Sequence, residues 1–305
     1  MSEAAVEQRR RFWKTFENPV TVKELRSRMR GRRAFVVLTI YLLVMSGLIA
    51  LLYTLFAAAS AQPYGPQRRE AGRAVFAAVL GIQVLLVAFI TPAFTAGAIS
   101  GEKERQTYNL LRTTLLPARA LVSGKLFSAL AYIFLLLLAA VPLQSIAFLL
   151  GGVSPIELII SELLIFVSAV VFALLGLFFS SLMRSTLAAS VTTFASSLLL
   201  TMGLPAAVMI VVPLLTVLFA GAIDPLVELS LIYTALILAS TNLPATLILS
   251  EMFLIQEDAL FYFRDVIAGQ NVIIVSPWML YIVLYSLMAL FLYLATVQRV
   301  RRIPR

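Results

Sequence analysis

Long apolar runs separated by short polar segments dominate the chain. A helix needs about 20 apolar residues to cross the roughly 30 Å hydrocarbon core of a bilayer. The first run follows a long charged segment, so it is interpreted as a retained span and not as a signal peptide. The runs predict six transmembrane helices, at about residues 35–58, 74–99, 122–150, 156–182, 186–220 and 277–297.

A semi-apolar stretch, residues 226–275, precedes the last span and carries Asn242-Leu243-Pro244 in its middle. A further full crossing here would give an odd number of spans and separate the basic tail from the other basic segments. The stretch is therefore predicted to form a re-entrant hairpin or outer-leaflet helices, with its irregular backbone either buried in protein or lining a wet cavity. The expected fold is an all-α integral membrane protein of six transmembrane helices, with an N-terminal cytoplasmic amphipathic helix and a re-entrant or extracellular helical insertion.

The positive residues cluster at one set of helix ends. Residues 1–33 hold ten Lys or Arg, residues 100–125 hold five, and the tail adds four arginines. By the positive-inside rule, both termini are predicted to be cytoplasmic. The net charge of +9 is thus interpreted as membrane orientation, and no nucleic-acid partner is expected.

Composition narrows the possible chemistry. The chain is 61% hydrophobic and 13% charged, and it has no cysteine and no histidine, which removes thiolate chemistry and the commonest metal ligand. No catalytic residue and no metal site are predicted. A membrane-embedded lipid-modifying enzyme stays an alternative, although the acids that could serve it match no strong motif: Glu251, Glu257, Asp258 and Asp265.

The leader, residues 1–33, is predicted to form a cytoplasmic amphipathic interface segment. Asn18 is a good N-cap and Pro19 suits the first helical position. The basic face of such a helix favours the anionic inner leaflet, so membrane lipids are expected contacts. Whether this helix is only a lipid anchor or also contacts a partner is left open. The candidate interface residues are Lys23, Glu24, Arg26 and Arg30.

A second amphipathic helix is predicted over residues 102–116, between the second and third spans. Tyr108, Leu111 and Leu115 fall on one stripe, and Pro117 disfavours continuation. The acids at its start and Arg112 near its end suit the helix dipole. The pattern alone fits either a generic loop or a functional helix.

Polar side chains inside the spans are costly and are candidates for a translocation path. Packing between helices is the competing interpretation. Gln144 and Thr201 also lie within spans, while Glu157 and Glu162 near an outer boundary are interpreted as a solvated rim. The possible path residues are Gln83, Thr91, Thr95, Thr193 and Ser197.

Two stretches resemble the ABC-2 type transporter permeases, the transmembrane subunits of bacterial ABC exporters. "ISGEKERQTYNLLRTTLLPARALVSGKL", residues 99–126, is similar to the segment after the second span of that family, and "NPVTVKELRSRMRGRRAFVVLTIYLL", residues 18–43, to its N-terminal part. Gln106 stands where the family usually has glycine. The resemblance implies a six-helix ABC-2 transmembrane domain over residues 34–299, with 226–275 external or re-entrant and a cytoplasmic tail at 300–305. It also implies a multi-pass protein of a bacterial or archaeal plasma membrane.

The resemblance further implies that residues 102–116 form a coupling helix that docks on a separate ABC ATPase subunit, beside a second permease chain in a homo- or heterodimer. A P-loop is missing here, since Gly124-Lys125 is followed by Leu126, so ATP and Mg²⁺ are expected on the partner. A non-transporting ABC-like scaffold is a further alternative. The implied coupling residues are Glu102, Lys103, Glu104, Arg105, Thr107 and Leu111.

Overall fold

The computed structural model describes residues 21, 24–25, 32–60, 68–107, 117–203, 214, 225–256, 260–267 and 270–302. Within these ranges the chain is mostly helical. The elements, numbered in chain order, are α1 (Arg32–Ser60), α2 (Arg68–Thr95), α3 (Ser100–Glu104), α4 (Ala118–Leu149), α5 (Pro155–Leu182), α6 (Thr186–Leu198), α7 (Pro225–Ala239), α8 (Leu243–Gln256), β1 (Tyr262–Ile267), β2 (Gln270–Val275) and α9 (Pro277–Arg302).

Six of the described helical segments are long and apolar enough to cross a membrane, which confirms the predicted number of spans. α1 and α9 expose large apolar side chains on their outer surfaces, among them Phe35, Leu43, Leu287 and Phe291. Water would disfavour apolar surface on this scale, whereas lipid tails accept it. The chain is therefore a multi-pass membrane protein.

Helix α5 lies at the centre of the bundle and packs against α2, α4, α6, α8 and α9. Its start is well defined: the Ser154 hydroxyl accepts a hydrogen bond from the Glu157 amide at 3.2 Å, and Pro155 occupies the first turn. The sequence that follows is apolar all around the helix, as expected for an element surrounded by other helices.

The closest approach between α2 and α5 occurs at Gly176. An added Cβ at this position would lie 2.8 Å from the Thr95 Cβ and 3.1 Å from the Ala96 amide nitrogen. Both distances are too short for carbon in van der Waals contact, so only glycine permits this packing. Small residues at the contact between transmembrane helices allow backbones to approach in this way.

The predicted fifth span is helical from Thr186 to Leu198 and continues as a π-helical turn from Leu199 to Gly203. The rest of the predicted span, with Pro205 and Pro213, lies outside the described residues. Asn242 is bound to the π-turn, because its Nδ2 donates to the carbonyl oxygens of Leu200 at 2.6 Å and Thr201 at 3.0 Å. Carbonyl groups that the wider turn would leave unpaired in a membrane are thereby satisfied.

The predicted insertion before the last span contains two short helices, α7 and α8. The break between them is buried, since Asn242 and Leu243 are each 1% exposed, and Asn242 Oδ1 caps α8 by accepting from the Ala245 amide at 3.1 Å. This confirms that the irregular backbone around Asn242-Leu243-Pro244 is enclosed by protein. Both helices are shorter than a membrane span.

A two-stranded antiparallel hairpin, β1–β2, is an exception to the predicted all-α fold. Its register runs from Tyr262 opposite Val275 to Ile267 opposite Gln270. Valine and isoleucine are frequent here, which favours extended structure. The Tyr233 hydroxyl donates to the Ile273 carbonyl at 2.8 Å and ties the hairpin to α7.

Gly176→Ala should destabilise the protein, whereas Gly81→Ala should not. The methyl group at position 176 would force α2 away from α5, at a cost of about 1–3 kcal/mol in the free energy of unfolding. Gly81 is a matched control in the middle of α2, because an added Cβ there meets nothing within 4 Å. Unfolding midpoints in detergent measure both variants, and equal midpoints would contradict the close α2–α5 contact.

Candidate functional site

The residues that resemble a coupling segment lie where four spans meet. α2 ends at Thr95, and after a short turn the chain forms α3, a single helical turn. The amides of Ile99 and Ser100 both donate to the Ser180 hydroxyl on α5, each at 2.9 Å. Two amide groups at the start of α3, which have no partner within the helix, are thus satisfied by the neighbouring span.

Lys103 binds the end of α5. Its Nζ donates to the carbonyl oxygens of Ser181 at 2.5 Å and Met183 at 3.1 Å, and more weakly to that of Ser180 at 3.4 Å. These carbonyls belong to the last turn, where the helix dipole is negative and hydrogen-bond partners are missing. A lysine is therefore well suited to this place, and it fixes α3 to α5.

Glu104 binds the start of α6. Its carboxylate accepts from the Thr186 amide at 2.7 Å and from the Thr186 hydroxyl at 3.0 Å and 3.2 Å. An acidic group at a helix N-terminus pairs with the free amides and with the positive end of the dipole. Adjacent side chains of α3 thus hold the end of α5 and the beginning of α6.

Glu102 joins α3 to α4 and to the leader through Lys125. The Lys125 side chain is 3% exposed, and its Nζ lies 2.7 Å from both Glu102 Oε1 and Glu24 Oε1. Ser128, one turn further along α4, donates to Glu24 Oε2 at 3.0 Å. A buried ammonium with two carboxylate partners is stable only because both are in place.

Sequence reasoning missed the role of Lys125, which it treated only as part of a Gly-Lys pair. A signal was available, since a lysine inside an apolar helix must find a buried partner or reach water. Its two partners lie 101 and 23 residues away in sequence, so they could not be identified from spacing alone.

The predicted continuous helix over residues 102–116 is interrupted at residues 105–107. α3 ends at Glu104, and Gln106 adopts a left-handed conformation with φ of 58°. The Thr107 amide bonds to the Glu102 carbonyl at 3.0 Å and the Gln106 amide to the Lys103 carbonyl at 3.1 Å. This is a Schellman motif, a helix-ending turn that favours glycine at the position of Gln106. Residues 108–116, with Leu111, lie outside the described residues.

The six implied coupling residues therefore divide into different roles. Glu102, Lys103 and Glu104 form hydrogen bonds that join α3 to other helices. The side chains of Arg105 and Thr107 are exposed beyond the helix end, and the Thr107 hydroxyl donates only locally, to the Glu102 carbonyl at 3.3 Å. In the leader, Thr21, Glu24 and Leu25 are helical, in agreement with the predicted helix. The other interface candidates, Lys23, Arg26 and Arg30, lie outside the described residues.

Among the possible path residues, Gln83 belongs to a polar cluster between three spans. Its Nε2 donates to Glu162 Oε1 at 2.7 Å, and Gln144 Nε2 reaches both Glu162 Oε1 and Gln83 Oε1 at 2.7 Å. Glu162 is thus bonded within the bundle, which corrects its interpretation as a solvated rim. Glu157 is also buried, at 9% exposed. The position of the two glutamates along the helix predicted a solvated rim, because the sequence does not show which neighbouring helices cover them.

The remaining path candidates are completely buried between helices. Ser197 donates to the Ala88 carbonyl of α2 at 3.1 Å, while Thr193 and Thr95 bond to carbonyl groups of their own helices. Thr95, Thr193 and Ser197 therefore act in helix packing and backbone bonding in this conformation. Thr91 is also fully buried, and its hydroxyl forms no hydrogen bond with any described residue. A place on a translocation path stays a prediction for all of them.

Of the four acids named for the alternative enzyme, only Glu251 has a described side chain. Glu251 lies on α8, Glu257 and Asp258 are outside the described residues, and the Asp265 side chain is not described. Among the described residues, no group of three or more Asp and Glu could hold a metal ion. A scan against protein-family models and a search of curated proteins gave no match.

Lys125→Met should destabilise the protein by about 3 kcal/mol, because it leaves two carboxylates facing each other without their shared cation. This lies at the low end for a buried pair, since both glutamates are part-exposed. Arg119→Met, on the exposed side of the same helix, is the control and should change the free energy of unfolding by less than about 0.5 kcal/mol. Similar losses in the free energy of unfolding for both variants would show that the ion pairs of Lys125 do not stabilise the fold.

Gln106→Gly should stabilise the protein by about 1 kcal/mol, because glycine has no steric penalty at positive φ. Gln106→Val should have the opposite effect, since a β-branched side chain is unfavourable there. Thermal unfolding of the two variants tests the turn. If glycine lowers the midpoint, the chain at residue 106 is not left-handed in the folded protein.

Proposed function

We propose that the chain is the transmembrane permease subunit of an ATP-binding cassette exporter of the ABC-2 type. It forms a substrate path with a second permease chain and is driven by a separate ATPase subunit that binds ATP and Mg²⁺. The observation that carries the proposal is the set of hydrogen bonds through which α3 holds α4, α5, α6 and the leader at one end of the bundle.

These hydrogen bonds support a coupling role because they are short and fix α3 to its neighbouring helices. A push on α3 is passed through Lys103 to the end of α5 and through Glu104 to the start of α6. Rigid-body movement of packed helices is a common way in which a local event reorients a domain.

The same end of the bundle offers a basic, exposed surface for a partner. Arg105 and Thr107 extend from the end of α3, and Arg184 and Arg299 lie close enough to act electrostatically on Lys103. The positive-inside rule assigns this end to the cytoplasm, where an ATPase subunit would be found. The expected location is a bacterial or archaeal plasma membrane.

The Gln83–Gln144–Glu162 cluster is the best-supported part of the proposed path. An ionisable side chain between transmembrane helices is expensive and is therefore often functional. Its two amide partners hold the carboxylate between α2, α4 and α5. A conformational change that separates these helices would expose a polar surface inside the bundle.

The double substitution Arg105→Glu with Thr107→Lys should abolish coupling without loss of the fold. Both side chains are exposed and contribute little to packing, so the unfolding midpoint should stay unchanged. Capture of a P-loop ATPase from native membranes should fall at least tenfold, which corresponds to about 1.4 kcal/mol or more of binding free energy. ATP-dependent transport in vesicles should fall with it.

The control for this experiment is Arg264→Glu, which makes the same Arg-to-Glu change at an exposed residue of the hairpin strand β1. It should leave both ATPase capture and transport intact. Undiminished capture by the double variant, or no P-loop protein bound to the wild type, would contradict the proposal. ATPase binding without any ATP-dependent transport would favour the scaffold alternative.

A further inference from the structure

A small cavity lies between α2, α5 and α8, at the end of α5 opposite α3. Its volume is about 10 Å³, which is room for roughly one water-sized particle. Four side chains that carry oxygen line it: Glu157 and Ser161 from α5, and Ser250 and Glu251 from α8. The other lining residues are apolar. The cavity is therefore too small for an organic ligand, but its walls carry groups that can bind a single ion.

Two of the oxygen atoms on these residues are buried without a partner. The Ser250 hydroxyl and Glu157 Oε2 form no hydrogen bond with any described residue, although Ser250 is 2% exposed and Glu157 is 9% exposed. Buried polar atoms in native proteins are nearly always bonded. Because both residues line the cavity, their unpaired oxygen atoms point to a bound particle that oxygen can coordinate.

The charges around the cavity favour a cation over a water molecule. Burial and the Glu157 carboxylate both raise the pKa of Glu251, whereas the nearby Arg73 lowers it. The Arg73 Nε donates to the Gly152 carbonyl at 3.2 Å, so this group is used elsewhere. Two carboxylates and one arginine leave one net negative charge when all three groups are ionised. A neutral water would leave the carboxylates repelling each other, whereas a single positive charge between them would remove the repulsion.

The size of the cavity and its charge together favour a monovalent metal ion. Mg²⁺ usually keeps several of its water molecules, and the cavity has no room for them. Ca²⁺ takes about 6–8 oxygen ligands and, like Mg²⁺, carries one positive charge more than the site has to neutralise. Alkali-metal cations hold their water less tightly because of their lower charge, and they accept carboxylate and hydroxyl oxygens as ligands.

We propose that this cavity binds one dehydrated alkali-metal cation. Glu157 and Glu251 supply carboxylate oxygens, Ser250 supplies its hydroxyl oxygen, and the bound ion joins α8 to α5. Na⁺ and K⁺ share this chemistry. The sequence predicted no metal site, because the two glutamates lie far apart along the chain. The site does not rest on ATPase coupling, so it can be tested on the purified chain alone.

Binding of radioactive Na⁺, and of radioactive Rb⁺ as a tracer for K⁺, to the full chain in phosphatidylcholine nanodiscs tests the site. Empty discs are subtracted, and choline chloride, whose cation is too large for the cavity, keeps the ionic strength constant. We expect saturable binding that weakens at least tenfold in Glu157→Gln and in Glu251→Gln, and several-fold in Ser250→Ala. Glu70→Gln is the matched control, since Glu70 is an exposed glutamate in the first turn of α2, and it should bind like the wild type.

Arg73→Gln should have the opposite effect. It removes a positive charge that acts on Glu251, and it keeps a side-chain N–H group beside the Gly152 carbonyl. The cation should therefore bind several-fold more tightly than it binds to the wild type. Loss of folding cannot produce tighter binding, so this variant gives an independent answer if a glutamine variant fails to fold.

Competition with unlabelled salts identifies the ion. Displacement at lower concentrations of Na⁺ than of K⁺ assigns the site to Na⁺, and the reverse order assigns it to K⁺. Both results support the proposal, and Mg²⁺ should compete at least tenfold less effectively than the preferred ion. The proposal is overturned if neither tracer binds saturably, if both glutamine variants bind like the wild type, or if Arg73→Gln gains nothing. These outcomes do not depend on whether an ATPase binds at the other end of the bundle.

Discussion

Backbone polar groups cannot be left unpaired in a membrane, and the turn between α5 and α6 is where this constraint organises the structure. One helix ends and another begins there, so free carbonyl and amide groups face each other over a few residues. α3 satisfies both sets, with Lys103 on the carbonyls and Glu104 on the Thr186 amide. The position of α3, and through Glu102 that of α4 and the leader, follows from this requirement.

The same requirement explains the polar contacts elsewhere in the bundle. The Asn242 side chain donates hydrogen bonds to the π-turn that follows α6. The Tyr285 hydroxyl donates to the Thr241 carbonyl at 2.9 Å, beside the break between α7 and α8. Tyr281 is fully buried and shares a 2.6 Å hydrogen bond with Ser168 of α5. In the first two cases a side chain satisfies carbonyl groups of irregular backbone, and in the third two side chains join α9 to α5.

Hydropathy was sufficient for the number and approximate position of the spans, because burial in hydrocarbon depends on local composition. It was insufficient where the outcome depends on partners distant in sequence. The structural roles of three residues become clear only when α2, α4, α5 and α8 lie beside one another: Lys125, Glu157 and Glu162. The break after Glu104 was missed for another reason: the residues around it have good helix propensity, and the Schellman turn at Gln106 overrides that propensity locally.

The glycine contact between α2 and α5 limits the kinds of motion available to the protein. With backbone this close, sliding one helix past the other would drive Thr95 into the chain of α5. The contact therefore opposes sliding of α2 along α5. α1 packs against only α2 and α4 among the elements with substantial contacts and is mostly open to lipid. α1 is therefore held by fewer neighbouring helices than α5, which packs against five others.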